Sequence, residues 1–152
     1  MTQPVSPAAG PVEFFTADHR RCDELWAAVE AAADTRDVAA TRAAFAAFDA
    51  ATRRHFEMEE TVLFPAFEQA SGMTMGPTRV MRSEHEQMRG LLGQMAMADD
   101  DLEALVEHGD TLLMFTQQHN MKEEGMLYPM AERYLGGDWA AIAQRLAPYL
   151  KP

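Results

Sequence analysis

Cysteine is nearly absent. Cys22 is the only one among 152 residues, so no disulfide can close within the chain, and a reducing, cytoplasmic setting is the expected one. Long apolar runs are missing as well; none approaches the ~20 residues that a membrane-crossing helix requires. Basic runs do not extend beyond Arg20-Arg21 and Arg53-Arg54, and 13 Lys and Arg face 24 Asp and Glu (13 − 24 = −11). An acidic surface repels nucleic acid and anionic lipid, so neither is an expected partner. The opening residues Met1–Pro7 have no charged start and no apolar centre, unlike a signal peptide. Residues 1–11 are expected to be a flexible lead-in to one domain over 12–152. Strand-type alternation is not found.

Helical periodicity is abundant. The first predicted helix runs from Val12 to Ala33, with Phe15, His19, Cys22, Trp26 and Val29 on one face. The second spans Val38 to Phe67, with Phe45, Phe48, Thr52, His55, Glu59, Val62 and Ala66 on one face, and Pro65 should kink or end it. Residues 71–77 read as a loop. The third spans Thr78 to Ala98 and presents Met81, His85, Met88, Leu92 and Met95. Asp99–Asp101 caps the fourth, whose face includes Leu105, Leu112, Phe115, His119, Glu123 and Met126; Gly136-Gly137 ends it. Asp138 is expected to cap a short last helix, Trp139 to Leu150. The predicted fold is all-α: an antiparallel up-down-up-down four-helix bundle with a short C-terminal helix.

An internal repeat locates the chemistry. The stretch from His55 to Pro65 matches that from His119 to Pro129 at His, Glu, Glu, Leu and Pro, with Phe64 opposite Tyr128. An acid-His pair precedes each stretch: Asp18-His19 lies 36 residues before His55 (55 − 19) and Glu84-His85 lies 34 before His119 (119 − 85). The bundle is therefore two copies of a helix pair. Residues i and i+4 share a helix face, so His55 with Glu59, and His119 with Glu123, form two-pronged donors. His19 and His85 lie on the core-facing stripes of their own helices.

A single buried histidine is an ordinary core residue. Four with two glutamates are different, because a carboxylate buried without a partner costs several kcal/mol and metal ions offset that cost. Six donors exceed a closed tetrahedral zinc site, and no His-Glu-x2-His motif or Asp-rich calcium loop occurs. Imidazole with carboxylate suits iron, with manganese or zinc as substitutes. The two Glu, from opposite copies, are placed to bridge two ions, each completed by two His and an oxide or hydroxide bridge. An open position would remain for a small ligand.

His19, His55-Phe56-x2-Glu59-Glu60, Glu84-His85-Glu86 and His119-x3-Glu123-Glu124, spread over residues 12–135, resemble the hemerythrin-like (HHE cation-binding) family. The resemblance implies a non-haem di-iron centre bridged by two carboxylates, with His19, His55, Glu59, His85, His119 and Glu123 as ligands. Oxygen-carrying members have a further His one turn after the third-helix ligand; here that position is Arg89. Their last carboxylate stands where Glu124 does, whereas Glu123 keeps the internal symmetry and is the expected ligand. The four-His, two-Glu set is similar to members linked to nitric-oxide stress and repair of iron centres. The expected function is therefore a redox reaction with nitric oxide, oxygen or peroxide. Reversible oxygen or nitric-oxide binding or sensing, and iron delivery or storage, are the alternatives. Tyr128 and Phe64 are expected to pack beyond the site, Glu60 and Glu124 to face solvent or orient ligands, and Cys22 to be a small buried hydrophobe. His108, eleven residues before His119, stands ~16 Å away at helical rise and is left outside the cluster.

Overall fold

The computed structural model describes residues 5–151. Among them every regular element is helical. α1 spans Pro11–Asp34, α2 Val38–Met58, α3 Phe64–Ser71, α4 Pro77–Met97, α5 Leu102–Lys122, α6 Tyr128–Leu135 and α7 Trp139–Gln144. Single π turns, Glu59–Leu63 and Glu123–Leu127, join α2 to α3 and α5 to α6 without a break. Asp37 and Asp101 start α2 and α5 by accepting from the amides of Ala40 and Ala104 at 3.0 and 3.1 Å, which satisfies orphan donors of the first turn.

Cross-helix contacts give the directions. Asp18 meets His55 and Trp26 meets Phe48, so numbers fall along α2 as they rise along α1. Glu84 meets His119 and Met88 meets Thr116, so α4 and α5 run oppositely as well. The expected antiparallel four-helix bundle is what forms.

Pro65, expected to kink or end the second helix, does not end it: the chain stays helical through a π turn and on to Ser71. The fourth helix passes Pro129 in the same way. Proline has no N–H and its ring collides with the carbonyl four residues back. The π turn relieves that collision: Phe64 N bonds to Glu59 O and Tyr128 N to Glu123 O, five residues apart. The last helix is also shorter than expected. α7 stops at Gln144, a 3-10 turn covers Ala147–Leu150, and the Asp138 side chain makes no capping bond.

Of the lead-in expected over 1–11, residues 1–4 lie outside the described residues. Pro7–Ala9 form a 3-10 turn, and Pro7 O accepts from Trp139 Nε1 at 2.7 Å. The core divides into two blocks. One holds Phe14, Phe15, Met58, Leu63, Phe67 and the α6–α7 side chains; the other holds Trp26, Phe45, Phe48, Leu92, Met95, Leu105 and Leu112. His19, His55, His85 and His119 fall between the two blocks along their helices. Among the described residues no helix is long and apolar enough to cross a membrane.

Candidate metal centre

His19 comes from α1, His55 from α2, His85 from α4 and His119 from α5, while Glu59 and Glu123 open the two π turns. All six are buried, with Glu59, His85 and Glu123 at 0 % exposure. Their donor atoms form two overlapping groups: His19, His55, Glu59 and Glu123, and Glu59, His85, His119 and Glu123, each within 4.8 Å. Glu59 and Glu123 are common to both. The structure thus brings together every residue the sequence singled out for metal.

One ring atom of each histidine points inward. Nε2 of His19 and of His119 lies 3.0 and 3.2 Å from Glu123 Oε1. Nε2 of His85 and of His55 lies 3.1 and 3.4 Å from Glu59 Oε1. Each Nδ1–H donates outward to a carboxylate: His19 to Glu124 (2.7 Å), His55 to Asp18 (2.7 Å), His85 to Glu60 (2.7 Å) and His119 to Glu84 (2.8 Å). These outer bonds hold the tautomer that leaves Nε2 free for an ion.

The outer carboxylates are the second acid of each His-x3-Glu-Glu stretch and the acid of each acid-His pair. They serve histidines on other helices: Asp18 precedes His19 yet holds His55, and Glu84 precedes His85 yet holds His119. Arg21 and Arg54 flank Asp18, Arg89 grips Glu60, and Lys122 pairs with Glu84.

Tyr128 was expected beyond the site. Its hydroxyl instead donates to Glu59 Oε2 at 2.6 Å and lies 3.0 Å from Glu123 Oε1, 3.1 Å from His19 Nε2 and 3.3 Å from His55 Nε2. The π turn is the cause: its i→i+5 bonding stacks residue 128 over residue 123. The signal in the sequence was Pro129, next in line and repeated at Pro65. Phe64, the counterpart of Tyr128, lies against the His85 ring at 5.7 Å and 18°. The hydroxyl therefore exists only on the His19/His55 side.

Burial pushes the Glu59 carboxyl up, but the charge of His55 and the contacts with Glu123, His55 and His85 outweigh it and leave Glu59 well below the ordinary range. Burial pushes all four imidazoles down, yet the facing carboxylates carry each above its ordinary value. Burial first, then the charges of Glu123 and Glu59, hold the Tyr128 hydroxyl well above its usual range and keep it protonated. Without a cation, the protons on the imidazoles balance the buried carboxylates.

That balance is incomplete. Glu59 Oε1, Glu123 Oε2, His85 Nε2 and His119 Nε2 are buried and make no directed hydrogen bond; the two imidazole nitrogens meet the glutamates only as charge contacts, at 3.1 and 3.2 Å. Such atoms are rare in folded proteins. All four are metal-binding atom types, facing one another, so the residues fit a metal centre.

A cavity of about 30 Å³ borders His19 and His55 and is lined by Cys22, Trp26, Thr52, Met88 and Leu112, among others. It holds a molecule of water or diatomic size. Burial pushes the Cys22 thiol up to about 11, so it lines the cavity as a neutral group. Met81 is core, and Phe115 is exposed rather than lining the site.

The hemerythrin HHE cation binding domain, compared with this chain, matches residues 10–131. No curated protein and no solved structure matches it.

Proposed function

The chain belongs to the hemerythrin HHE cation-binding domain family, and on that premise we propose that it holds two iron ions and reacts through them with nitric oxide, oxygen or peroxide. His19 and His55 would hold one ion and His85 and His119 the other, with Glu59 and Glu123 available to both. The observation that carries the reading is the set of buried donor atoms on Glu59, Glu123, His85 and His119 that make no directed hydrogen bond. Membership in two overlapping four-donor groups, sharing the two glutamates, supports two ions. Imidazole and carboxylate donors favour iron. Iron, when bound, supplies electrons and an open coordination position.

The chain's own groups do the rest. Outer carboxylates fix the four imidazoles with Nε2 inward. Tyr128 holds its proton on the hydroxyl directed at Glu59 Oε2. The small cavity beside His19 and His55 admits a diatomic or peroxide and excludes larger molecules. Its mostly apolar walls disfavour charged solutes, which lose hydration without compensation. Arg89, where oxygen carriers have a further histidine, is engaged with Glu60, so no fifth histidine closes either ion. That favours reaction over carriage, in a reducing cytoplasm under nitrosative or oxidative stress.

The same mostly apolar cavity favours a second reading, reversible binding or sensing of oxygen or nitric oxide; iron delivery or storage is a third outcome. The test is anaerobic loading with ferrous iron, then absorption spectra on adding oxygen, nitric oxide or peroxide separately. Two irons per chain that oxidise irreversibly and turn over nitric oxide or peroxide support the proposal. An adduct that disappears under vacuum supports the carrier. Rapid loss of iron to a chelator, with no turnover, supports iron handling.

A further inference from the structure

His19 of the first copy corresponds to His85 of the second, and four residues later stand Asp23 and Arg89 (19 + 4, 85 + 4). One register position thus carries opposite charges in the two halves of the centre.

In the second copy, Arg89 grips Glu60 with both ends of its guanidinium, Nη1 to Oε2 at 2.9 Å and Nη2 to Oε1 at 2.7 Å. Such a fork fixes geometry as well as charge. Glu60 in turn holds His85 Nδ1 at 2.7 Å. The Arg89 guanidinium also lies 5.4 Å from the Phe56 ring centre, and Phe56 stacks on His85 at 4.1 Å and 20°. Phe64 lies against His85 as well, under Arg82, which bonds the Glu60 carbonyl.

His19 has none of this clamp; Arg21 and Arg54, which flank Asp18, stand behind His55 instead. Glu124, the acceptor for His19 Nδ1, is 38 % exposed and has no Arg or Lys within 4 Å among the described residues. Asp23 lies with Glu124 along a solvent groove between α1 and α5. Tyr128 stacks on His19 at 5.6 Å, but the cavity also borders His19, whereas it touches neither His85 nor His119.

An ion leaves such a site when a histidine swings off it. Swinging His85 requires breaking the Arg89–Glu60–His85 chain and parting its aromatic neighbours. Swinging His19 requires breaking one exposed outer bond that no guanidinium holds. Resting on the ligand assignment proposed above, we infer that the two halves differ in metal retention: Arg89 locks the His85/His119 position, and the His19/His55 position, with Asp23 in its place, exchanges its ion. Arg89 is a positioning residue, acting through Glu60.

The test loads the purified protein with two equivalents of Co(II), mixes it with excess EDTA and follows the cobalt absorption. The expected result is two phases of equal amplitude. Arg89→Met accelerates the slow phase ~10–100-fold, the usual effect of losing an outer-shell partner, and leaves the fast phase unchanged. Arg89→Lys recovers part of the effect, Glu60→Gln repeats it, and Asp23→Arg slows the fast phase. One phase in the natural protein, or equal acceleration of both phases by Arg89→Met and Glu60→Gln, overturns the inference; general loosening of the bundle would act on both. His85→Ala separates the two levels. If it still binds two ions that leave at natural rates, the ligand assignment itself fails. If it binds one ion while Arg89→Met and Glu60→Gln change nothing, only the role of Arg89 fails.

Discussion

Adding metal to the metal-free protein is expected to raise its melting temperature in proportion to the ions bound. The metal-free state carries four buried donor atoms in no directed hydrogen bond, a deficit that a bound ion relieves. An ion that binds only the folded state stabilises it by about 4 kcal/mol at a thousand times its Kd. In a chain of this size each kcal/mol moves the midpoint ~2–4 °C. One ion is therefore worth ~8–16 °C and two ~16–32 °C. The assay is a calorimetric or circular-dichroism melt, anaerobic with ferrous iron and in parallel with Co(II), alongside metal quantification. His85→Ala should retain one ion and about half the shift. A midpoint indifferent to metal would refute the metal centre, and a full shift in His85→Ala would refute the two-ion assignment.

The metal-free protein and its metal affinity should respond oppositely to pH. The raised imidazoles contribute stability fully below the ordinary histidine value of 6.5, and lose it as pH rises through their folded values. Glu59, lowered in the fold, contributes above the ordinary 4.5 and loses it as pH falls through its folded value; metal-free stability should thus peak between about 4.5 and 6.5. Metal must displace imidazole protons, so the metal-induced shift should grow from pH 6 to 8; a shift independent of pH would contradict this. Tyr128→Phe removes the 2.6 Å bond to Glu59 and should cost the metal-free protein ~1.5–3 kcal/mol in a denaturant titration; an unchanged midpoint would show that the hydroxyl holds nothing. Gly109→Ala puts a Cβ 1.9 Å from the Trp26 ring. Displacing that indole should cost at least ~1–3 kcal/mol and shift tryptophan fluorescence to the red; a natural spectrum and stability would refute this packing.

The sequence by itself determined the helices, their pairing into two copies and the six inward donors, because these depend on short-range periodicity. An apolar stripe repeating every 3.6 residues must face a core, and a His-x3-Glu on that stripe must share its face. Which acid serves which histidine was not legible there. Asp18 and Glu84 adjoin one histidine in the chain and bond another on the facing helix, a choice made only when helices pack. Arg89 looked like a missing ligand and is a clamp on Glu60. Tyr128 depended on both levels: Pro129 forces a wide turn locally, but only the packed bundle puts the donors of Glu59, His19 and His55 within reach of its hydroxyl. Tertiary structure also decided the asymmetry of the two halves, since a hydroxyl, a cavity and a charge that differ between near-identical copies acquire meaning only from what lies across the bundle.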